Sequence, residues 1–139
     1  MQGKTIAELK LGDSAYVEKT ISESDVYLYA GITGDLNPAH VNEVEAGKSM
    51  FKGRIAHGML SAGLISAVLG TQLPGPGTIY MGQQLKFTKP VRFGDTIRAT
   101  ATIQEMNVEK NRCIISTVCT NQNGEVVIDG TATVMPPKA

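Results

Sequence analysis

The sequence predicts an α+β fold in which a curled antiparallel sheet wraps around one buried central helix. Three observations point there. Residues 57–69 (His-Gly-Met-Leu-Ser-Ala-Gly-Leu-Ile-Ser-Ala-Val-Leu) carry no charge and are apolar nearly all round, the pattern of a helix buried on several sides. Four strand-like segments near 78–88, 95–106, 111–121 and 125–135 then follow one another with turn signals between them. In the second of these, Ile97, Ala99, Ala101 and Ile103 fall on one parity and Arg98, Thr100 and Thr102 on the other, the alternation of a half-buried antiparallel strand.

Residues 15–21 alternate and read as a first strand. Ser22 is suited to cap a helix, and Asp25 three residues later is a short version of the capping-box acid. Val26, Leu28, Tyr29 and Ile32 supply that helix with an apolar face, and Gly34 ends it. Asn37-Pro38 reads as a turn or as a cap with proline in the first helical position, opening a short helix over 38–47. Residues 48–54 form a polar loop, and Gly70 is a natural stop for the central helix. Pro74-Gly-Pro-Gly77 makes a rigid connection into the strands. Asn123-Gly124 is a hairpin signal, because both residues tolerate positive φ.

A chain of 139 residues suits a single domain over 1–139, large enough to bury a core. Thirteen basic residues balance thirteen acidic ones, so the broad basic field of a nucleic-acid binder is absent. No apolar run approaches the roughly 18 residues that suggest a membrane span. The N-terminal residues lack the apolar core of a signal peptide, so a cytoplasmic location is expected. Cys113 and Cys119 share one strand. Six residues at about 3.3 Å each separate them far beyond disulfide reach, so both read as buried free thiols.

The chemistry-bearing stretch is Asp35-Leu-Asn-Pro-Ala-His40, a carboxylate and an imidazole five residues apart across a turn. Two titratable groups aimed at one water can deprotonate it and return a proton. Alternatively, Asp35 caps the short helix and His40 simply packs. His57-Gly58-Met59 stands at the start of the central helix, where backbone N–H groups lack intrahelical acceptors and lie at the positive end of the dipole. The Gly58 amide is therefore a candidate oxyanion donor, although a glycine there can also merely relieve crowding. His57 reads as a structural hydrogen-bonder. Gln83, on an apolar parity with Ile79, Met81, Leu85 and Phe87, needs a partner from either backbone or substrate.

Asp-x-Asn-Pro-x-His, about fifteen residues and then His-Gly-Met resembles the signature of the MaoC-like (R)-specific enoyl-CoA hydratases and 3-hydroxyacyl-CoA dehydratases of the hotdog-fold superfamily. The resemblance extends over nearly the whole chain, with Ile79-Tyr-Met-Gly-Gln-Gln-Leu-Lys-Phe-Thr-Lys-Pro-Val matching a second-half strand. It implies a single hotdog fold and reversible syn hydration of trans-2-enoyl-CoA to (R)-3-hydroxyacyl-CoA, with short-to-medium acyl chains. It further implies that Asp35 and His40 form the catalytic dyad. Ser66, nine residues after His57, is the serine expected beside that dyad, with Ser61 a less favoured candidate. No metal or redox cofactor is implied. The partners implied are an acyl-CoA thioester and a second copy of the chain in a homodimer or higher homo-oligomer, with neither nucleic acid nor membrane. Lys48, Lys52, Arg54, Lys86, Lys89 and Arg92 are the basic residues available to the CoA phosphates. Two rival readings share the fold: an acyl-CoA thioesterase, and a non-catalytic acyl-CoA-binding module.

Overall fold

A computed structural model of the protein describes residues 2–139. After a 3₁₀ turn at Ile6–Glu8 come β1 (Ser14–Thr20), α1 (Glu23–Thr33), α2 (Pro38–Val41), α3 (Glu43–Gly47) and α4 (Gly58–Thr71). Four strands complete the chain: β2 (Ile79–Phe87), β3 (Thr96–Asn107), β4 (Arg112–Thr120) and β5 (Val126–Met135). All pairings are antiparallel, in the order β1-β3-β4-β5-β2. The α+β architecture predicted from the sequence is therefore the one observed.

The core forms between α4 and the concave face of the sheet. Ile65, Val68 and Leu69 of α4 are buried, as are Ile97, Ala99, Ala101 and Ile103 of β3 and Cys113, Ile115 and Cys119 of β4. The small alanines at the centre of β3 let the helix approach the sheet closely. The parity read from the sequence holds until Ile103, after which the β3–β4 register shifts. The thiols of Cys113 and Cys119 are free, and burial raises the pKa of both, pushing Cys119 up to about 12. Both should resist iodoacetamide at pH 8 in the folded protein and react once guanidinium unfolds it, as read by intact mass. Rapid labelling of the native chain would contradict this packing.

The predicted caps form. The Asp25 N–H donates to Ser22 Oγ at 3.1 Å, and the Ser22 N–H returns to the Asp25 carboxylate at 2.9 Å. That backbone N–H is the largest reason why the Asp25 pKa is lowered. The β4–β5 hairpin also forms, but only Gly124 adopts positive φ; Asn123 does not. Here Asn121 Oδ1 accepts from the N–H groups of both Asn123 and Glu125, organising a longer loop.

Several details depart from the sequence expectation. The predicted helix over 38–47 breaks at Asn42, whose side chain caps α3 by accepting from the Glu45 N–H. Central helix α4 passes through Gly70 to Thr71, because the hydrogen bonds continue through Gln72 N–H to Val68 O. Helix α1 buries Val26 and Ala30, spaced i and i+4, while Leu28 and Ile32 are exposed. It lies on the flank of the molecule and needs only a narrow apolar stripe.

Candidate active site

A cavity of about 480 Å³ opens where the N-terminus of α4 meets the segments around α2 and the ends of β2 and β5. That volume is within the usual range for small-molecule sites. Asp35, His40, His57, Gly58 and Ser61 supply polar groups to it, and Phe51, Phe87 and Val127 are among its apolar walls.

The local sequence dictates how the pair is set. Asn37 caps α2 by accepting from the Ala39 N–H at 3.1 Å, with Pro38 at the first helical position. This tight turn brings His40 back toward Asp35. One polar side-chain atom from each of Asp35, His40 and His57 lies within 4.8 Å of the others. His40 is buried, and its Nδ1–H donates to the Ile55 carbonyl at 2.6 Å. A carbonyl can only accept, so Nδ1 carries the hydrogen and Nε2 keeps the lone pair in the neutral ring. The His57 Nε2–H likewise donates to the Asp35 backbone carbonyl at 2.9 Å, which assigns it the structural role expected of it. The two imidazoles stack with centroids 3.9 Å apart, and Tyr29 packs on His57 at 4.6 Å. Asp35 itself is exposed at the rim, where its carboxylate accepts from the Asn37 N–H at 3.3 Å.

The segment that holds both histidines is anchored by Arg54. Its guanidinium donates to Glu43 at 2.6 Å, to the Tyr27 hydroxyl at 2.8 Å and to Glu23, and lies over the Phe93 ring at 4.8 Å. Those two carboxylates hold its pKa up. Arg54 thus ties α1 and α3 to the chain just before Ile55, so it serves the architecture and is not free to bind a phosphate. Lys48 and Lys89 also pair, with Glu45 and Glu125, although Lys89 lines the cavity. Apart from the i,i+3 pair of Lys48 with Glu45, these contacts join residues far apart in the chain and leave no local sequence signal.

Gly58 lies at the cavity wall. A Cβ there would stand 2.6 Å from Phe87 Cε1, so any larger residue would have to displace the half-exposed Phe87 ring. As the first residue of α4 its N–H has no intrahelical acceptor. The two readings of Gly58 are therefore compatible: the missing side chain both admits Phe87 and leaves the amide open.

One expected residue falls elsewhere. Ser66 does not line the cavity and is exposed in the single chain. Nine residues at 3.6 per turn make two and a half turns, which carries Ser66 to the opposite side of the helix from His57. Ser61, four residues after His57, is on the same side, is buried and lines the cavity. Gln83, read as needing a partner from backbone or substrate, finds its partners within the protein and does not line the cavity. A register shift between Tyr80 and Gly82 breaks the parity on which it was read, and places Tyr80 and Gln83 on one face. Its side chain donates to Thr117 Oγ1 at 2.9 Å and to the Gln84 carbonyl, and accepts from the Tyr80 hydroxyl.

A hotdog fold with a carboxylate and an imidazole at the N-terminus of its central helix is the class these features define. The chain belongs to the MaoC-like domain family, whose sequence profile matches residues 10–124. It is 60% identical over 130 residues to an (R)-specific enoyl-CoA hydratase of Rhodospirillum rubrum, covering 94% of this chain and 90% of that one. It is 47% identical over 131 residues to a 3-hydroxybutyryl-CoA dehydratase of Methylorubrum extorquens, covering 94% and 83%. Among solved structures, the R-hydratase PhaJ1 from Pseudomonas aeruginosa superposes with a TM-score of 0.93 at 46% identity, over 99% of this chain and 88% of that one.

Proposed function

We propose that the chain is a hydro-lyase that catalyses the reversible syn hydration of short-to-medium-chain trans-2-enoyl-CoA to (R)-3-hydroxyacyl-CoA. The observation that carries this reading is the convergence of Asp35 and His40 at a cavity that also contains the amide end of α4. The (R) configuration and the CoA thioester come from the relatives' names.

In this reading the thioester carbonyl accepts from the Gly58 N–H, and a water is held between the Asp35 carboxylate and His40 Nε2. One of the pair takes a proton as the water oxygen bonds to C3. The C2=C3 electron pair moves toward C1, and the carbonyl oxygen takes up the negative charge. The enolate then collapses, and the group that took the water's proton returns it to C2, so the dyad ends as it began. Acid and base stand on one side of the substrate, so the hydroxyl and the proton are delivered to the same face, which is syn addition. Dehydration is the same path reversed.

We further propose that two copies of the chain pair through β2. Edge strand β2 has one side unpaired, and Ile79 and Met81 on it are 55% and 49% exposed. Joining β2 of two copies would extend the sheet and cover both residues.

The test is loss of the conjugated thioester absorbance of crotonyl-CoA, with chiral analysis of the product and sedimentation to give the mass in solution. Rapid formation of the (R)-alcohol by a dimer is the expected result. An (S) product, or release of free thiol from a saturated acyl-CoA without hydration, would overturn the assignment.

A further inference from the structure

Ser61 Oγ is the one non-exposed side-chain oxygen among the described residues that is buried without a hydrogen-bond partner. The residue is 0% exposed and yet forms part of the cavity wall. A hydroxyl buried without a partner destabilises the fold. A helical hydroxyl normally escapes that cost by donating to the carbonyl four residues earlier. Thr33 does this toward Tyr29 at 2.8 Å, and Thr71 toward Ala67 at 2.6 Å. Ser61 does not; the His57 carbonyl at the same spacing accepts from the Leu60 N–H at 3.1 Å.

Side chains on an α-helix lean toward its N-terminus, over the residues three and four positions earlier. For Ser61 those residues are Gly58 and His57. The hydroxyl is thereby directed to the end of the cavity that holds the open Gly58 N–H. We propose that the Ser61 hydroxyl is a second hydrogen-bond donor to the substrate's thioester carbonyl, beside the Gly58 amide. This rests on the acyl-thioester reading of the site. A carbonyl oxygen has two lone pairs, and both are engaged when two donors converge on it. As the C3–O bond forms and charge gathers on that oxygen, both hydrogen bonds strengthen. Ser61 transfers no proton.

The test compares wild type with Ser61→Ala in three measurements. Turnover of crotonyl-CoA should fall roughly 10²-fold in kcat, the effect of losing one oxyanion donor, with little change in KM. The melting temperature should hold or rise, because the lost hydroxyl has no partner in the free protein. The infrared carbonyl stretch of bound [1-¹³C]butyryl-CoA, which cannot be hydrated, should move to higher frequency in the variant. Ser61→Cys, a weaker donor of similar size, should give an intermediate stretch. An unchanged stretch or a kcat close to wild type would overturn the proposal. A lowered melting temperature with an unchanged stretch would do so too, assigning the hydroxyl to a buried water shared with the unpartnered Nδ1 of His57. If wild type fails to hydrate crotonyl-CoA but the stretch still responds to Ser61, the hydratase reading falls and the Ser61 contact stands.

Discussion

Asp35→Asn is expected to lower kcat for crotonyl-CoA hydration by roughly 10²–10⁴, the range for a positioned acid/base group, while leaving the folded state nearly unchanged. The separation of the two effects follows from where Asp35 sits. It is exposed, and its carboxylate accepts one long hydrogen bond, from the Asn37 N–H at 3.3 Å. The amide oxygen of asparagine can accept the same bond. The backbone carbonyl that the His57 Nε2–H holds is untouched by the substitution. Stability should therefore change by no more than about 0.5 kcal/mol, as for surface positions without special contacts. Affinity for butyryl-CoA, measured by titration calorimetry, should also persist. What the amide lacks is proton affinity. A folded variant that hydrates crotonyl-CoA at close to the wild-type rate would remove Asp35 from the mechanism.

The same placement explains what could be read in the sequence. Asp35 and His40 are brought together by a turn built within six residues, with Asn37 as cap and Pro38 as first helical residue, so local rules suffice. The strands are legible because their alternation and turn residues are local too: β3 keeps its parity for eight residues, and Gly124 adopts the positive φ expected of it. Ser61 and Ser66 illustrate the limit. Both lie on one helix in a His-Gly-Met context, and choosing between them requires knowing which side of α4 meets the cavity. The rotation of that helix is set by Ile65, Val68 and Leu69 packing against the sheet. The apolar parity of β2 breaks for a related reason: one unpaired residue at Met81 reverses the side to which the rest of the strand presents each side chain. Leu28 and Ile32 have the composition of a buried face, but α1 buries only Val26 and Ala30.

His40→Ala is expected to reduce kcat over a similar range, roughly 10²–10⁴, but unlike Asp35→Asn it should also destabilise the fold. The ring is buried, stacks 3.9 Å from His57 and donates Nδ1–H to the Ile55 carbonyl. Removing it leaves that carbonyl without its side-chain donor, at a cost of about 1–3 kcal/mol, and withdraws one packed face of His57. A loss of rate in the alanine variant alone is therefore ambiguous between chemistry and a displaced His57. His40→Gln separates the two. A glutamine amide can restore the donor to Ile55 and fill much of the space, but it offers no basic nitrogen in place of Nε2. If His40 handles the water's proton, glutamine recovers most of the melting temperature and none of the rate. If His40 only props up His57 and the segment at Ile55, stability and rate return together, and the dyad reduces to Asp35. Thermal denaturation and crotonyl-CoA kinetics on the same preparations decide between these outcomes, because the two roles of the ring reside on its two different nitrogens.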